Sequence, residues 1–161
     1  MVRKLICAWL VLLSIPCSAD PSFTGHWSDY VTDESQYDDF VCLAQNIYFE
    51  ARDQTLEGKI SVGLVTFNRV DHKYFPDSVC EVVWQRKQFS WTHDGKSDTP
   101  REKEAWEEIK SIASAMIDPE STIHDFTNGA THYHAAWMEE FPDWAETLAF
   151  LGQIDDHLMY K

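Results

Sequence analysis

Apolar residues recur at helical spacing in three stretches of the chain. Phe40, Leu43, Ala44 and Ile47 share one stripe, which predicts a core-facing helix over residues 37–52. Ile60, Leu64 and Phe67 mark a second helix, opened by Thr55 as its cap with Glu57 in the favourable first turn and reaching Val70. Ala105, Trp106, Ile109, Ile112, Ala113 and Met116 carry a third to Ile117, and Pro119 cannot continue it. This third helix opens on TPRE, a capping box with Thr99 as cap, Pro100 at the first helical position and Glu102 three after the cap. Trp106 belongs to its core stripe.

The intervening and later segments follow other patterns. YFPDSVCEVVWQ begins with an extended X-Pro step and continues as a short helix or turn that carries Cys80 toward the first helix. QFSWTHDGKSD alternates aromatic and polar residues before a turn at Asp94-Gly95. ATHYHAAW alternates similarly, and LAFLGQIDDHLMYK reads as two short strands around Asp155-Asp156. Helices first and strands last indicate an α+β domain with a small antiparallel sheet in its C-terminal part. A chain of 161 residues accommodates one such unit.

The N-terminus changes the picture. Arg3 and Lys4 precede an apolar stretch from Leu5 to Ile15 and a short polar end, the pattern of a secretory signal peptide over residues 1–19. The stretch is about half of the roughly 20 residues that a spanning helix needs, and Pro16 disfavours a lipid anchor on Cys17. The expected product is secreted or periplasmic, monomeric and without a stable membrane anchor. It opens with an acidic lead-in over residues 20–36, whose Trp27 and Tyr30 could dock on the body, followed by one catalytic domain over residues 37–161. Its 11 basic residues face 27 acidic ones. Without a Lys and Arg cluster to neutralise phosphates, nucleic acid is excluded as a partner.

Cys42 and Cys80 remain after signal removal, which in an oxidising compartment suggests one disulfide; two separate buried thiols are the alternative. Closing that loop stabilises by roughly 3–4 kcal/mol in the chain-entropy description. No Cys-x-x-Cys or His-Glu-x-x-His spacing supports zinc.

The candidate for chemistry is Glu50, which follows Tyr48 and Phe49 at the end of the first helix. A carboxyl group among aromatic rings loses solvation of its charged form, so its pKa rises and it can donate a proton near neutral pH. On spacing alone, a surface acid near a helix end is the alternative. Gln88, Phe89, Trp91, His132, Tyr133 and His134 are candidates to line a glycan cleft, since aromatic faces stack on sugar rings while amides and imidazoles bond their hydroxyl and N-acetyl groups. Alternation places His132 and His134 on one strand face. Core packing is the alternative for Phe89, Trp91 and Tyr133, and a zinc site with His93 or His157 is the alternative for the two histidines. Asn68 and Arg69 either orient the glutamate or finish the second helix.

CLAQNIYFEAR, LEGKISVGLVTFNRV, FPDSVCEVVWQ, QFSW, GATHYHA and DHLMYK occur in the order seen in the cell wall hydrolase family of spore-cortex lytic enzymes, which the chain resembles from Cys42 to Tyr160. The resemblance implies a lysozyme-like, lytic-transglycosylase-like domain that cuts peptidoglycan glycan strands between N-acetylmuramic acid and N-acetylglucosamine without a metal or other cofactor. It implies that Glu50 is the catalytic acid and base; Tyr48, two residues before it, is a further candidate substrate-binding side chain. The chain departs from the family where Gly-Glu usually follows Glu-Ala-Arg: here stand Asp53 and Gln54. Aspartate enters a left-handed turn less readily than glycine, and Gln54 brings no charge, so lower activity or a shifted pH optimum is expected. Two rivals remain: a catalytically weak peptidoglycan-binding module and a zinc-dependent amidase or peptidase acting on the peptide stems.

Overall fold

The computed structural model describes residues 34–161; the expected signal segment, Trp27 and Tyr30 lie outside the described residues. Four helices, α1 (Glu34–Ala51), α2 (Leu56–Val70), α3 (Val79–Val83) and α4 (Lys103–Ile117), precede three strands, β1 (His132–Ala135), β2 (Phe150–Ile154) and β3 (His157–Tyr160). The expected α+β order is borne out. The helix expected over 37–52 begins earlier, at Glu34, and ends at Ala51.

Helix α1 packs against the other three helices, and its stripe of Phe40, Leu43, Ala44 and Ile47 is buried as expected. Helix α2 starts at its Thr55 cap, whose side chain accepts the Gly58 N–H, and crosses α4 closely. A β-carbon on Gly63 would stand 2.6 Å from Met116 Cε, so the flexible Met116 side chain fills the space that glycine leaves between these helices. Asn46, fully buried, donates to Thr66 Oγ1 at 3.2 Å and accepts from Trp91 Nε1 at 3.1 Å, which meets the hydrogen-bonding needs of a polar group in the core. Cys42 and Cys80 form a disulfide between α1 and α3, so the separate-thiol alternative falls. The alternating QFSWTHDGKSD segment forms no strand; it runs through a 3-10 turn at Ser90–His93 into the expected turn, where Gly95 has φ 75° and Lys96 N–H donates to Asp94 Oδ1 at 2.8 Å.

The start of α4 corrects the capping-box expectation. The helix begins at Lys103 with Glu102 as cap residue, and no side chain caps it. The Tyr48 hydroxyl, reaching out of the core, instead accepts the N–H groups of Arg101 at 3.1 Å and Glu102 at 3.0 Å. The Glu102 carboxylate meets the Arg52 guanidinium at 2.9 Å rather than folding back on a cap. A tertiary acceptor has displaced the local one.

The sheet is antiparallel in the order β1-β3-β2, so the central strand is the last. The β2–β3 hairpin turns at Asp155, with φ 48°, and Asp156, as expected from the sequence. Its tip docks on the turn between α1 and α2. Asp155 Oδ2 accepts both the N–H and the hydroxyl of Thr55, and Asp156 N–H donates to Gln54 Oε1 at 3.2 Å. A β-carbon on Gly58 would collide with that Asp155 carboxylate, which explains glycine in the first turn of a helix. Met159, Val65 and Ala130 form a small second core behind the sheet.

Tyr48→Phe removes the acceptor of two backbone N–H groups and should lower the unfolding free energy by about 1–2 kcal/mol in urea titrations. Thr99→Ala should stay within about 0.5 kcal/mol, since Thr99 caps nothing; the reverse ranking would restore the capping box.

Candidate active site

Glu50 sits in the last turn of α1 and borders a cavity of about 520 Å³ whose wall combines α1, the end of α2, the segment after α3, and the sheet. Tyr133, pointing from β1, donates its hydroxyl to Glu50 Oε2 at 3.2 Å. Burial raises the Glu50 pKa above its ordinary 4.5, while the Tyr133 hydrogen bond and the Arg69 charge pull it partway back. Burial also pushes the Tyr133 phenol well above its usual value, and the neighbouring Glu50 charge adds to this, so Tyr133 remains a donor.

Arg69 occupies the last turn of α2 and is itself buried. Its Nε donates to the Thr131 carbonyl at 2.6 Å, and its guanidinium lies 5.4 Å from the Phe75 ring centre and 5.0 Å from that of Phe89. Among the described residues its Nη1 has no hydrogen-bond partner, and neither does the buried Nδ1 of His157. Both residues border the Glu50 cavity. Burial lowers the pKa of His157, whose ring packs 4.8 Å from Tyr133. Asn68 acts away from the glutamate. Its amide donates to the Ala130 carbonyl at 3.0 Å and to Thr127 Oγ1 at 3.1 Å, holding the approach to β1.

Of the residues expected in a cleft, Gln88, Phe89, Tyr133 and His134 join Glu50 around this cavity. Tyr48 and Trp91 border a neighbouring cavity instead, and Trp91 is buried with its ring stacked 4.7 Å from Phe49. His132 and His134 do share a strand face, where both flank Trp144 at 5.1 and 5.7 Å. Tyr133, on the opposite face, is the one that reaches Glu50. Burial, then the charges of Arg69 and His72, lower the His132 pKa to about 4. Thr131 holds His132 Nδ1 at 3.0 Å and Tyr160 holds His134 Nε2 at 3.1 Å. Among the described residues, no three His, Cys, Asp or Glu side chains gather as a metal site.

The residue that sequence reasoning missed is Trp137. It is 77% exposed at the edge of the Glu50 cavity, beside Met138. Its only sequence signal is a tryptophan close before the acidic pair Glu139-Glu140, just past the strand that carries Tyr133. At Asp53 the backbone stays outside the left-handed region. Among the described residues the non-glycine positive-φ positions are Lys87, Asn128 and Asp155, so Asp53 does not need a glycine backbone. Gln54 uses its uncharged amide in both directions, accepting from Asp156 N–H and donating to Asp156 Oδ2 at 3.3 Å.

The profile of a family described as Cell Wall Hydrolase matches residues 53–160. The match begins three residues after Glu50. The chain is 28% identical over 88 residues to a spore cortex-lytic enzyme of Bacillus subtilis, covering 55% of this chain and 29% of that protein. It is 31% identical over 96 residues to that of Halalkalibacterium halodurans, covering 59% of this chain and 26% of that protein. The chain thus spans about a quarter of the length of these relatives. Among solved structures it resembles the catalytic domain of the Bacillus cereus SleB protein, with TM-score 0.63 and 25% identity over 85% of this chain and 99% of that one. It is similarly close to the catalytic domain of the germination-specific lytic transglycosylase SleB from Bacillus anthracis, with TM-score 0.64 and 25% identity over 81% of this chain and 100% of that one.

A carboxyl whose pKa is raised by folding binds its proton more tightly in the folded chain, so its contribution to stability falls as pH rises from about 4.5 through the raised value. Glu50→Gln should therefore melt above the wild type at pH 8, by roughly 2–4 °C. The gap should close toward pH 4; a gap independent of pH would mean that burying this charge costs nothing.

Proposed function

Because this chain belongs to the cell wall hydrolase family, we propose that it is a secreted glycosidase of peptidoglycan, a lytic transglycosylase working on glycan strands between N-acetylmuramic acid and N-acetylglucosamine. The observation that carries this reading is a half-buried carboxyl group at the wall of an open cavity, held there by a phenol donor.

In the proposed reaction the Glu50 carboxyl gives its proton to the glycosidic oxygen, the bond from that oxygen to the muramic acid C1 breaks, and the leaving sugar departs with a hydroxyl group. The Glu50 carboxylate then takes the proton of the muramic acid C6 hydroxyl as that oxygen bonds to C1 and closes a 1,6-anhydro ring. Glu50 ends protonated, as it began. Burial favours the acid form needed first, while the Tyr133 hydrogen bond and the Arg69 charge support the carboxylate needed second. The nucleophile belongs to the substrate, so no second carboxylate has to activate water. Trp137, exposed at the cavity edge, supplies a face on which a sugar ring can stack.

One feature favours a second outcome, hydrolysis: Asp53 and Asp156 border the same cavity and could hold a water molecule.

Mass spectrometry of the soluble fragments from purified peptidoglycan separates these readings. The wild type should release non-reducing anhydro-muropeptides, and Glu50→Gln should release at least about a hundredfold less. Reducing-end fragments would replace the transglycosylase by a hydrolase, and equal release by both proteins would remove Glu50 from the mechanism. Trp137→Ala should raise KM roughly three- to tenfold with kcat changed less than about twofold, and Trp137→Tyr should restore it; an unchanged KM would leave Trp137 outside the glycan path.

A further inference from the structure

A second cavity, of about 670 Å³, lies beside the first and shares Phe49, Arg52 and Ser90 with it. The mechanism above makes no use of it. Its buried walls are aromatic, Tyr48 and Trp91, but its rim is charged in both senses: Arg52, Lys96 and Arg101 stand among Asp94, Asp98 and Glu102. Three of the chain's 13 basic residues converge here, on a protein of net charge −14.

Two of these cations are engaged. Arg52 meets Glu102 at 2.9 Å and lies over the Tyr48 ring, and Lys96 meets Asp94 at 3.3 Å. Arg101 has no ion-pair partner among the described residues. Its side chain is exposed, yet its backbone is pinned by the Tyr48 hydroxyl at 3.1 Å. The result is a guanidinium without a counter-charge on a fixed support at the rim of an open groove, geometry suited to a carboxylate.

We propose that this second cavity receives the peptide stem of the substrate, a short peptide carrying carboxylates and, where it contains a diamino acid, an amine. The inference rests on the peptidoglycan reading above. Sugar units in this polymer are neutral; its charges reside in the stems, so a rim bearing both signs fits the stem better than another sugar. The attachment point also agrees. A stem hangs from C3 of the muramic acid whose C1–O bond Glu50 would cleave, so its root falls next to the Glu50 cavity and it must lie in an adjoining groove. The net negative charge of the protein repels an anionic stem from afar, whereas within a Debye length of about 8–10 Å the rim offers the unpaired Arg101 to a carboxylate and Asp98 to an amine.

Two measurements test this. Fragment release is followed on intact peptidoglycan and on the same material stripped of stems by an amidase, which leaves only a lactyl carboxylate at each stem's root, for the wild type, Arg101→Ala and Arg101→Lys. Arg101→Ala should raise KM about three- to fivefold on the intact polymer only, the scale of one exposed ion pair, with Arg101→Lys largely restoring it. Equal effects on both substrates, or no effect on either, would overturn the stem site. A synthetic stem peptide is also titrated while the backbone amide resonances of the protein are recorded. Shifts around Lys96 and Arg101 that are weakened in Arg101→Ala support the site, and their absence overturns it. If the wild type releases no fragments from either polymer, the glycosidase reading fails, and the titration still decides whether the stem site exists.

Discussion

The hydrogen bond from Tyr133 to Glu50 joins the helical half of the chain to the sheet across 83 positions, and it does so at a carboxyl whose charge is disfavoured by burial. Glu50 loses solvation at the end of α1, Arg69 loses it at the end of α2, and each buried alone would destabilise the fold. Together they limit each other's cost. Arg69 also depends on the sheet, because the Thr131 carbonyl takes its Nε while Phe75 and Phe89 flank the guanidinium. The site exists only when both halves have folded, and the well-packed helical core with its disulfide offsets what the buried pair costs.

The second constraint is the docking of the hairpin tip. Asp155 takes the Thr55 N–H and hydroxyl at the start of α2, and Asp156 exchanges hydrogen bonds with Gln54. This lock fixes β3, and through its pairing with β1 it fixes Tyr133 against α1. Gln54 fits this setting: a glutamate here would set a carboxylate against that of Asp156, whereas the amide both donates and accepts. Gln54 is thereby tied to the acidic hairpin tip 102 positions away.

Much of this was legible in the residues because it is local. Three helical stripes, the Thr55 cap, the helix end before Pro119 and the Asp155-Asp156 hairpin all follow from periodicity and turn chemistry, and the two cysteines outside the expected signal segment allow a single pairing. What was not legible came from distant partners. Thr99 has a sound capping-box context, yet Tyr48, more than 50 positions earlier, captures the N–H groups that precede α4. Alternation placed His132 and His134 together correctly but could not say that Tyr133's face would meet Glu50. An exposed Trp137 leaves no periodic trace at all, since nothing in its own segment packs on it in a regular pattern.

The abundance of acid in this chain sharpens the meaning of Glu50. Asp94 is held below the ordinary carboxylate range chiefly by the Lys96 N–H, and at Asp125 burial is outweighed by hydrogen bonds from Thr127, Gly129 and Asn68. Both are thus poor proton donors at neutral pH, as solvated carboxylates generally are. Glu50 shares their chemical type and differs in where it is placed. It accepts a side-chain hydrogen bond from Tyr133, and its burial outweighs both that bond and the Arg69 charge. An acid that must give up a proton and then reclaim it works best when neither form is strongly favoured. A half-buried site with one phenol donor and one nearby cation moves Glu50 toward that balance from the carboxylate side, and adding carboxylates to the surface cannot.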